Sequence, residues 1–210
     1  MGGFEVPPSA GEEWDRRYAA SDHVWTSEPD ALLVELAGSL TTGNALDLGS
    51  GEGRNACWLA AQGWQVVAVD ASKVALERVA ARAEKEGSAE RVRCVLADLV
   101  DFVPDEGAFD LVVVSNLHLE PALHSTVFDR AKAALAPGGH VFVVGHHRDS
   151  AGLAGPPDPE RLYTEERLHS ALRGLDVLRL ERLSRRHEGH GSAHDVTDVV
   201  AWARRATSAG

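Results

Sequence analysis

Apolar residues along the chain form alternating strand-like and helix-like runs from residue 44 onward. Five short runs rich in Val, Leu and Ala lack regular polar alternation, which is typical of strands buried on both faces of a sheet. They cover residues 44–49, 65–70, 92–97, 109–115 and 140–146. Helix-like segments cover residues 54–61, 72–86 and 121–135. This alternation predicts a mainly parallel sheet with helices on both of its faces.

Local signals predict where the helices begin and end. Ser72 is suited to an N-cap. The sequence PGG at 137–139 is expected to end the third helix, because proline breaks it and glycine frees the chain to turn. Two further helices are predicted before the first strand, over residues 12–20 and 29–40, with Pro29 in the first turn of the second.

The last third of the chain has a different pattern. Residues 164–175 predict a helix with Thr164 as its N-cap. Apolar and charged residues alternate over 176–187 and again over 195–205, with the short segment 188–194 between them. This pattern predicts an antiparallel hairpin, which completes a Rossmann-like α/β fold with a seven-stranded mixed sheet.

The expected organisation is a single domain over residues 1–210, since a chain of this length can bury one sizeable core. The patterns divide this domain into four parts. They are an N-terminal helical part (1–43), a core of strands and helices (44–147), a flexible loop rich in Gly and Pro (148–163), and a C-terminal helix with the hairpin (164–210).

Composition narrows the range of partners. Asp and Glu outnumber Lys and Arg by 32 to 21, and the formal charge of −11 repels a phosphate backbone, so no nucleic-acid partner is expected. No apolar stretch nears the roughly 18 residues that a membrane span needs, and the first residues lack a signal-peptide pattern. Cys57 and Cys94 are predicted core residues rather than a disulfide pair. We therefore expect a cytoplasmic protein without a membrane partner.

The most specific motif is a glycine loop that begins after the first strand, in ALDLGSGEGRNAC. Gly49, Gly51 and Gly53 follow a strand and open a helix, which is the context of a cofactor-binding loop. A triphosphate loop needs a Lys followed by Ser or Thr, and neither pair follows the glycines. A dinucleotide loop needs a small residue where this chain has Arg54. The loop therefore allows a close ligand but lacks pyrophosphate-specific spacing.

Two carboxylates bracket this loop. Asp47 precedes the first glycine, where it would repel a pyrophosphate but suit a ligand that carries an ammonium and a sulfonium. A structural role, hydrogen-bonding the loop's own amides, is the alternative for Asp47. Asp70 ends the second strand. Together the carboxylates favour S-adenosylmethionine (SAM) over NAD.

With these motifs the chain resembles class I SAM-dependent methyltransferases from about residue 12 onward. The sequences DLGSGEG, VVAVDAS and VLADL resemble the first three family motifs, and FDLVVVSNLHLE and LAPGGHVFVV resemble the two that follow. The resemblance implies that Asp70 binds the ribose, that Asp98 and Leu99 meet the adenine amino edge, and that the methionine end lies near Asn116. The complete set of implied SAM-binding residues is Asp47, Gly49, Gly51, Gly53, Asp70, Ala71, Ser72, Asp98, Leu99, Asn116, Leu117, Trp14 and Trp25.

The N-terminal aromatics extend the resemblance. WDRRY, the separate Trp25 and the glycine motif are similar to small enzymes related to tellurite-resistance and thiopurine methyltransferases. In that group the N-terminal helices cover the SAM site, which implies that Trp14, Tyr18 and Trp25 belong to a lid. Packing of the helices onto the sheet is the alternative role for the same aromatic side chains.

Polar residues after the fourth and fifth strands are expected to face the methyl acceptor, because ligands of open α/β sheets lie beyond the carboxyl ends of the strands. The candidate catalytic residues are His118, Glu120, His146 and His147. A hydroxyl acceptor needs a base, so a His base favours O-methylation of a small polar compound. A faint resemblance to actinobacterial sugar O-methyltransferases suggests a sugar. Methylation of a thiol, metalloid or amine, or a non-catalytic SAM-binding module, is the alternative.

Two further hypotheses concern metals and assembly. His118, Glu120, His146 and His147 could together bind a divalent cation such as Mg²⁺ that acidifies the hydroxyl. The histidines of HEGHGSAH, residues 187–194, resemble zinc ligands superficially, but their hairpin position favours a solvated or substrate-rim role. The alternating strands at the C-terminal edge could pair with a second copy to give a homodimer.

Overall fold

The computed structural model describes residues 9–189 and 192–207. The chain forms two compact units: residues up to 42 with 49–102, and residues 43–48 with 103 onward. Within the described residues, no helix is both long and apolar enough to cross a membrane.

The secondary structure follows the predicted alternation. The helices are α1 (Ala10–Ala19), α2 (Ala31–Ala37), α3 (Arg54–Ala61), α4 (Lys73–Lys85), α5 (Pro121–Ala134) and α6 (Glu165–Ala171). The strands are β1 (Asn44–Leu48), β2 (Gln65–Asp70), β3 (Val92–Leu96), β4 (Phe109–Ser115), β5 (Leu135–His146), β6 (Asp176–Gly189) and β7 (Ser192–Arg204). The sheet has the strand order β3-β2-β1-β4-β5-β7-β6. The predicted fold class is confirmed.

In the first unit, β2 pairs in parallel with β3, and α4 packs against both strands. Ser72 caps α4 as predicted, because its side chain accepts a hydrogen bond from the N–H of Ala75 at 3.1 Å. Leu76 and Val79 lie on the buried face of the helix, where they are 6% and 0% exposed. The apolar stripe of α4 therefore supplies much of the core of this unit.

In the second unit, β1, β4 and β5 are parallel, whereas β7 runs antiparallel to β5 and β6 antiparallel to β7. The centres of β4 and β5 are fully buried, over residues 111–114 and 141–144. Continuous apolar runs thus form strands covered on both faces, as expected. Thr164 caps α6 by accepting from the N–H of Arg167.

The PGG sequence behaves differently from the prediction. Helix α5 ends at Ala134, and β5 starts at Leu135 and runs through all three residues. Gly138 has φ +81°, and the pairing with β4 shifts register at this point. Proline cannot donate to the ladder, so the strand accommodates it with a bulge instead of a turn.

The second N-terminal helix is also shorter than predicted. Pro29 lies outside the first turn of α2, because Asp30 is the N-cap and accepts from the N–H of Leu32 at 3.0 Å. A carboxylate at this position satisfies a helix-start N–H that no backbone carbonyl can reach. The helix ends at Ala37, before the predicted Leu40.

The C-terminal hairpin is longer than predicted. The backbone of β6 continues to Gly189, and β7 begins at Ser192, so most of the segment 188–194 pairs as strand and is not a loop. The cross-strand ladder satisfies backbone groups that a loop would leave to water. His190 lies outside the described residues.

We expect Gly53→Ala to destabilise the protein more than Gly87→Ala. Both glycines have positive φ, +78° and +70°, but a Cβ at Gly53 would lie 2.9 Å from Val79 Cγ2, whereas nothing lies within 4 Å of one at Gly87. Backbone strain should cost each variant about 1 kcal/mol, and the clash should cost Gly53→Ala about 1 to 3 kcal/mol more. Urea unfolding measures both values, and equal losses would contradict the packing argument.

Candidate functional site

The glycine loop joins β1 to α3 with a backbone that requires glycine. Gly49, Gly51 and Gly53 have φ values of +73°, +53° and +78°. These values lie in the left-handed region, which glycine adopts without the steric cost that a Cβ adds. The sequence motif therefore corresponds to a real local geometry.

The N–H groups of the loop are already used within the protein. Those of Gly49 and Ser50 both donate to the carbonyl of Val69, at 2.9 and 3.0 Å. The N–H of Gly51 donates to Asp70 Oδ2 at 2.8 Å. A phosphate-binding loop directs such donors at its ligand, so this arrangement agrees with the absence of a phosphate motif in the sequence.

Asp70 lies at the end of β2 and is 8% exposed. Its second oxygen, Oδ1, accepts from the N–H of Ser72 at 2.9 Å. Burial raises the pKa of this carboxyl group, and the hydrogen bonds from Ser72 and Gly51 partly oppose that rise. The carboxylate thus joins Gly51 of the glycine loop to Ser72 at the start of α4.

The buried side-chain polar atoms that lack a hydrogen-bond partner within the described part of the chain include Ser50 Oγ, in the glycine loop, and Asn116 Oδ1, after β4. Asn116 also has φ +53°, an uncommon conformation for a residue with a side chain. Such atoms and such strain occur where a ligand completes the hydrogen bonding, so both residues suit a binding role.

Two of the predicted lid aromatics, Tyr18 and Trp25, lie against Gly51 of the glycine loop. A Cβ at Gly51 would lie 3.0 Å from Tyr18 Oη and 3.7 Å from Trp25 Cδ1. Trp25 Nε1 donates to Tyr18 Oη at 3.0 Å, and the rings of Trp14 and Trp25 are 6.3 Å apart. Burial raises the pKa of Tyr18 to about 12, so the phenol is neutral.

The remaining predicted SAM residues differ in exposure. Asp98 is exposed after β3, and its Oδ1 accepts from the N–H of Val100 at 3.0 Å. Leu99 is buried beside it. Asp47 is buried in β1, in register with Val113 of β4.

The candidate acceptor residues gather around the end of β5. His146 Nδ1 lies 2.8 Å from Asp198 Oδ1, and these side chains are only 13% and 8% exposed. Asp198 stands opposite His146 in the pairing of β5 with β7. Sequence reasoning missed Asp198, since only the register of the hairpin brings it here. Arg185 lies 3.5 Å from its other oxygen.

His118 lies against His146 in a fixed orientation. Its Nε2 accepts from the backbone N–H of His146 at 3.0 Å, and the two rings stack with centroids 5.1 Å apart. Burial lowers the pKa of His118 to about 3, with the neighbouring His146 acting in the same direction. The Nε2 atom of the neutral His118 ring is therefore already occupied as the acceptor of the backbone hydrogen bond from His146.

His147 has a structural role although it is next in sequence to His146. The side chain is buried, and its Nδ1 accepts from the N–H of Asp149, which caps the short 3₁₀ turn at Arg148–Ser150. Its Nε2 lies 3.2 Å from Glu165 Oε2, although the pair is not aligned as a hydrogen bond.

Segment 148–163 holds the loop that follows β4. Arg161 donates from Nε and Nη2 to the carbonyl of His118, at 3.2 and 2.8 Å, and its Nη1 lies 3.3 Å from Glu120 Oε1. The hydroxyl of Tyr163 donates to the carbonyl of Leu117. Glu120 itself is exposed and turns toward Arg161 instead of the histidines.

The four proposed metal ligands do not form a metal site. His118, Glu120, His146 and His147 each have a different partner, and in residues 9–189 and 192–207 no three His, Cys, Asp or Glu side chains are placed to share an ion. The second motif, HEGHGSAH, is not tested, because His190 and the side chains of His187 and His194 lie outside the described part.

Part of the chain matches a known family. Residues 45–139 match the family model described as Methyltransferase domain. The ribosomal protein L11 methyltransferase of Thermus thermophilus is 35% identical over 122 residues, which are 58% of this chain and 46% of that protein. The chain spans less than half the length of the curated relatives that it matches.

Solved structures share the fold over nearly the whole chain. One, from work on the conversion of a disulfide bond into a thioacetal group during echinomycin biosynthesis, has a TM-score of 0.77 at 22% identity, covering 96% of this chain and 95% of that one. The 1,6-didemethyltoxoflavin-N1-methyltransferase of Burkholderia thailandensis, solved with S-adenosylhomocysteine, has a TM-score of 0.67 at 24% identity, covering 97% and 93%. The family match over residues 45–139 bears out the resemblance to SAM-dependent methyltransferases there, and the solved structures bear out the fold.

Replacement of the buried His124 should make the stability of the protein less sensitive to acid. His124 is 8% exposed and stacks on Phe128, and burial lowers its pKa to about 4 from an ordinary value of 6.5. The unfolded chain binds the proton first, so the stabilising contribution is complete above pH 6.5 and is lost as the pH falls toward 4.

Between pH 7 and pH 5 we expect His124→Phe to lose less stability than the wild type, by on the order of 1 kcal/mol when partial solvent screening is allowed for. Urea unfolding at both pH values measures this loss. The exposed His169 gives the control variant, His169→Gln, which should behave as the wild type. If His124→Phe loses as much stability as the wild type between pH 7 and pH 5, the buried neutral histidine does not contribute to the acid sensitivity of the protein.

Proposed function

We propose that this chain, whose residues 45–139 form a methyltransferase domain, transfers the methyl group of SAM to a hydroxyl group of a small polar acceptor. The observation that carries the proposal is the pair formed by His146 and Asp198, 2.8 Å apart at the end of β5. A buried histidine oriented by a carboxylate is the arrangement that a hydroxyl acceptor needs in order to lose its proton.

The residues of the glycine loop fit SAM better than a nucleotide. SAM, when bound, supplies a methyl group on a positively charged sulfur that leaves as a neutral thioether. The loop offers close backbone approach and the hydroxyl of Ser50, and its N–H groups at Gly49, Ser50 and Gly51 donate internally instead of toward a phosphate. Asp70 would accept from the ribose hydroxyls, because each carboxylate oxygen can take a second hydrogen bond.

The other parts of SAM are assigned by the same reasoning. We assign the adenine to Ala71, Ser72, Asp98 and Leu99, and the methionine end to Asn116 and Leu117. Exposure of Asp98 and the unpartnered oxygen of Asn116 support this assignment. Asp47, Gly53, Trp14 and Trp25 complete the proposed set.

His146 is the base in this mechanism. Asp198 is acceptor-only when ionised, so the Nδ1 of His146 carries the proton and Nε2 is the basic nitrogen. Nε2 of His146 would accept the proton of the acceptor hydroxyl as that oxygen takes up the methyl group that SAM would supply. Asp198 stabilises the imidazolium that results.

The two other histidines are poorer candidates. His118 uses its Nε2 to accept from the backbone and is strongly held in the neutral form. His147 is a buried cap of a 3₁₀ turn. The nearby Glu120 and Arg161 provide further polar groups, which supports a polyhydroxylated acceptor such as a sugar. No metal ion is part of this proposal.

Methylation of nitrogen or sulfur is the second candidate. The Burkholderia neighbour is an N1-methyltransferase, and the structure with the higher TM-score of the two quoted above comes from work on a thioacetal group. An amine or thiolate is nucleophilic without a placed base. Under this candidate, His146 would position the acceptor and its loss would have little effect on the chemical step. The third candidate function is that of a non-catalytic SAM-binding module, which would bind SAM without transferring its methyl group.

The cysteines and the net charge bear on the location and the partners of the protein. A cytoplasmic location is part of the proposal, and it is consistent with Cys57 and Cys94, which form no disulfide among the described residues. The charge of −11 favours a small acceptor over a nucleic acid.

We expect the protein to bind S-adenosylhomocysteine and Asp70→Asn to weaken that binding at least tenfold, because the ribose loses charge-assisted hydrogen bonds worth roughly 1.5 to 3 kcal/mol. Asn retains one acceptor for the loop amides, so the fold should persist. Isothermal titration measures the affinity, with exposed Asp101→Asn as the control. Absence of binding in the wild type would refute the proposed cofactor.

We expect His146→Gln and Asp198→Asn to lower kcat for a hydroxyl acceptor by roughly 10²- to 10⁴-fold, with affinity for S-adenosylhomocysteine unchanged. His147→Gln should mainly lower stability. Transfer of labelled methyl from SAM to a panel of sugars, phenols, amines and thiols provides the assay. Full activity of His146→Gln on the best acceptor would exclude the base and favour nitrogen or sulfur methylation.

A further inference from the structure

Glu52, which lies between Gly51 and Gly53 of the glycine loop, binds the N-terminal segment that packs on this loop. Glu52 Oε2 accepts from the N–H groups of Val24 and Trp25, at 3.1 and 3.0 Å. We call residues 18–27 the lid segment. A side chain of the glycine loop therefore holds the backbone of the lid segment next to Trp25, whose ring lies on Gly51.

Helix α4 provides the second half of this arrangement. Arg78 Nη2 donates to the carbonyls of Tyr18 and Ser21, at 2.8 and 2.7 Å. Arg78 Nη1 lies 2.6 Å from Glu52 Oε1. One guanidinium thus bridges the loop carboxylate and two carbonyls of the lid segment, using the fork of donors that a lysine lacks.

The burial of this pair distinguishes it from an ordinary surface ion pair. The side chains of Glu52 and Arg78 are 11% and 27% exposed. By contrast, the pair formed by Lys73 and Glu77 on the same helix is 72% and 65% exposed, with its charges 3.7 Å apart. Exposed pairs contribute little, whereas partly buried charge-assisted hydrogen bonds are short and strong.

Because the lid segment lies near Asp70, the pair of Glu52 and Arg78 that holds it can affect ligand binding. Tyr18 is buried, and its Oη would lie 3.0 Å from a Cβ at Gly51, whose N–H donates to Asp70, so the phenol lies near the proposed ribose acceptor. Asp70 itself is 8% exposed. If a ligand reaches Asp70 past the lid segment, the contacts that hold this segment oppose both entry and exit.

We propose that Glu52 and Arg78 are positioning residues that latch the lid segment onto the glycine loop and so set the rate at which the adenosyl ligand exchanges. The inference rests on the proposed function for the identity of the ligand. Neither residue needs to contact the ligand, because both act through the backbone of residues 18–25.

The first test compares exchange rates in Arg78→Gln and Glu52→Gln with the wild type. Stopped-flow fluorescence of the lid tryptophans follows displacement of S-adenosylhomocysteine from the full-length protein. Each variant should release it about tenfold faster, which corresponds to ~1.4 kcal/mol, while the dissociation constant rises less because entry is also faster. Lys73→Gln, on the same helix, is the matched control and should stay within about twofold of the wild type.

Two further variants separate a latch from a general loss of stability. The double variant Glu52→Gln with Arg78→Gln should release ligand no faster than the faster single variant, because both residues belong to one network. Arg78→Lys should fall between wild type and Arg78→Gln, since it keeps the charge but loses the fork. Additive effects in the double variant would overturn the shared latch.

Hydrogen exchange tests the latch without a ligand. The amides of Val24 and Trp25 donate to Glu52, so they should exchange faster in Arg78→Gln than in wild type or Lys73→Gln. Unchanged protection at these amides overturns the latch. If the wild type binds no S-adenosylhomocysteine, the proposed function fails while this measurement still decides the latch. Faster amide exchange with unchanged ligand release overturns the role in ligand exchange.

Discussion

The carboxylate of Asp70 is the contact on which the geometry of the first unit depends. One oxygen accepts from Gly51 and the other from Ser72, so a single buried group fixes the glycine loop and the start of α4. Ser72 in turn caps α4 and donates to Asp15 of α1 at 2.5 Å. A carboxylate that organises its own surroundings in this way has little conformational freedom left to lose when it binds a ligand.

Sequence reasoning succeeded where the physical cause is local. Helix α3 begins at Arg54 and ends at Ala61 as predicted, because glycine and a strand precede it, and Ser72 caps α4 through a hydrogen bond within its own turn. It failed where the cause is distant. Asp198 comes to His146 only through the register of two strands, and the PGG bulge depends on the pairing of β5 with β4. Neither relation can be read from spacing along the chain.

The adjacent histidines His146 and His147 illustrate the same limit within two residues. Successive side chains of a strand point in opposite directions, so neighbours in sequence have different surroundings. His146 closes β5 beside Asp198, whereas His147 follows the strand and is buried against the turn that it caps. The sequence offered both as equivalent bases. The geometry separates a residue suited to proton transfer from one suited to holding the chain.

Arginine holds both of the functional loops, but it does so in different environments. Arg78 with Glu52 holds the lid segment, and Arg161 with Glu120 holds the loop after β4, in each case by donation to backbone carbonyls. Glu52 is 11% exposed and Glu120 is 58% exposed. Water competes more strongly for the second pair, so its loop is held chiefly by the carbonyl contacts of Arg161 and by the buried Tyr163. The lid segment is therefore held more firmly than the loop after β4, and under the proposed function the acceptor side would retain the greater capacity to adapt to its ligand.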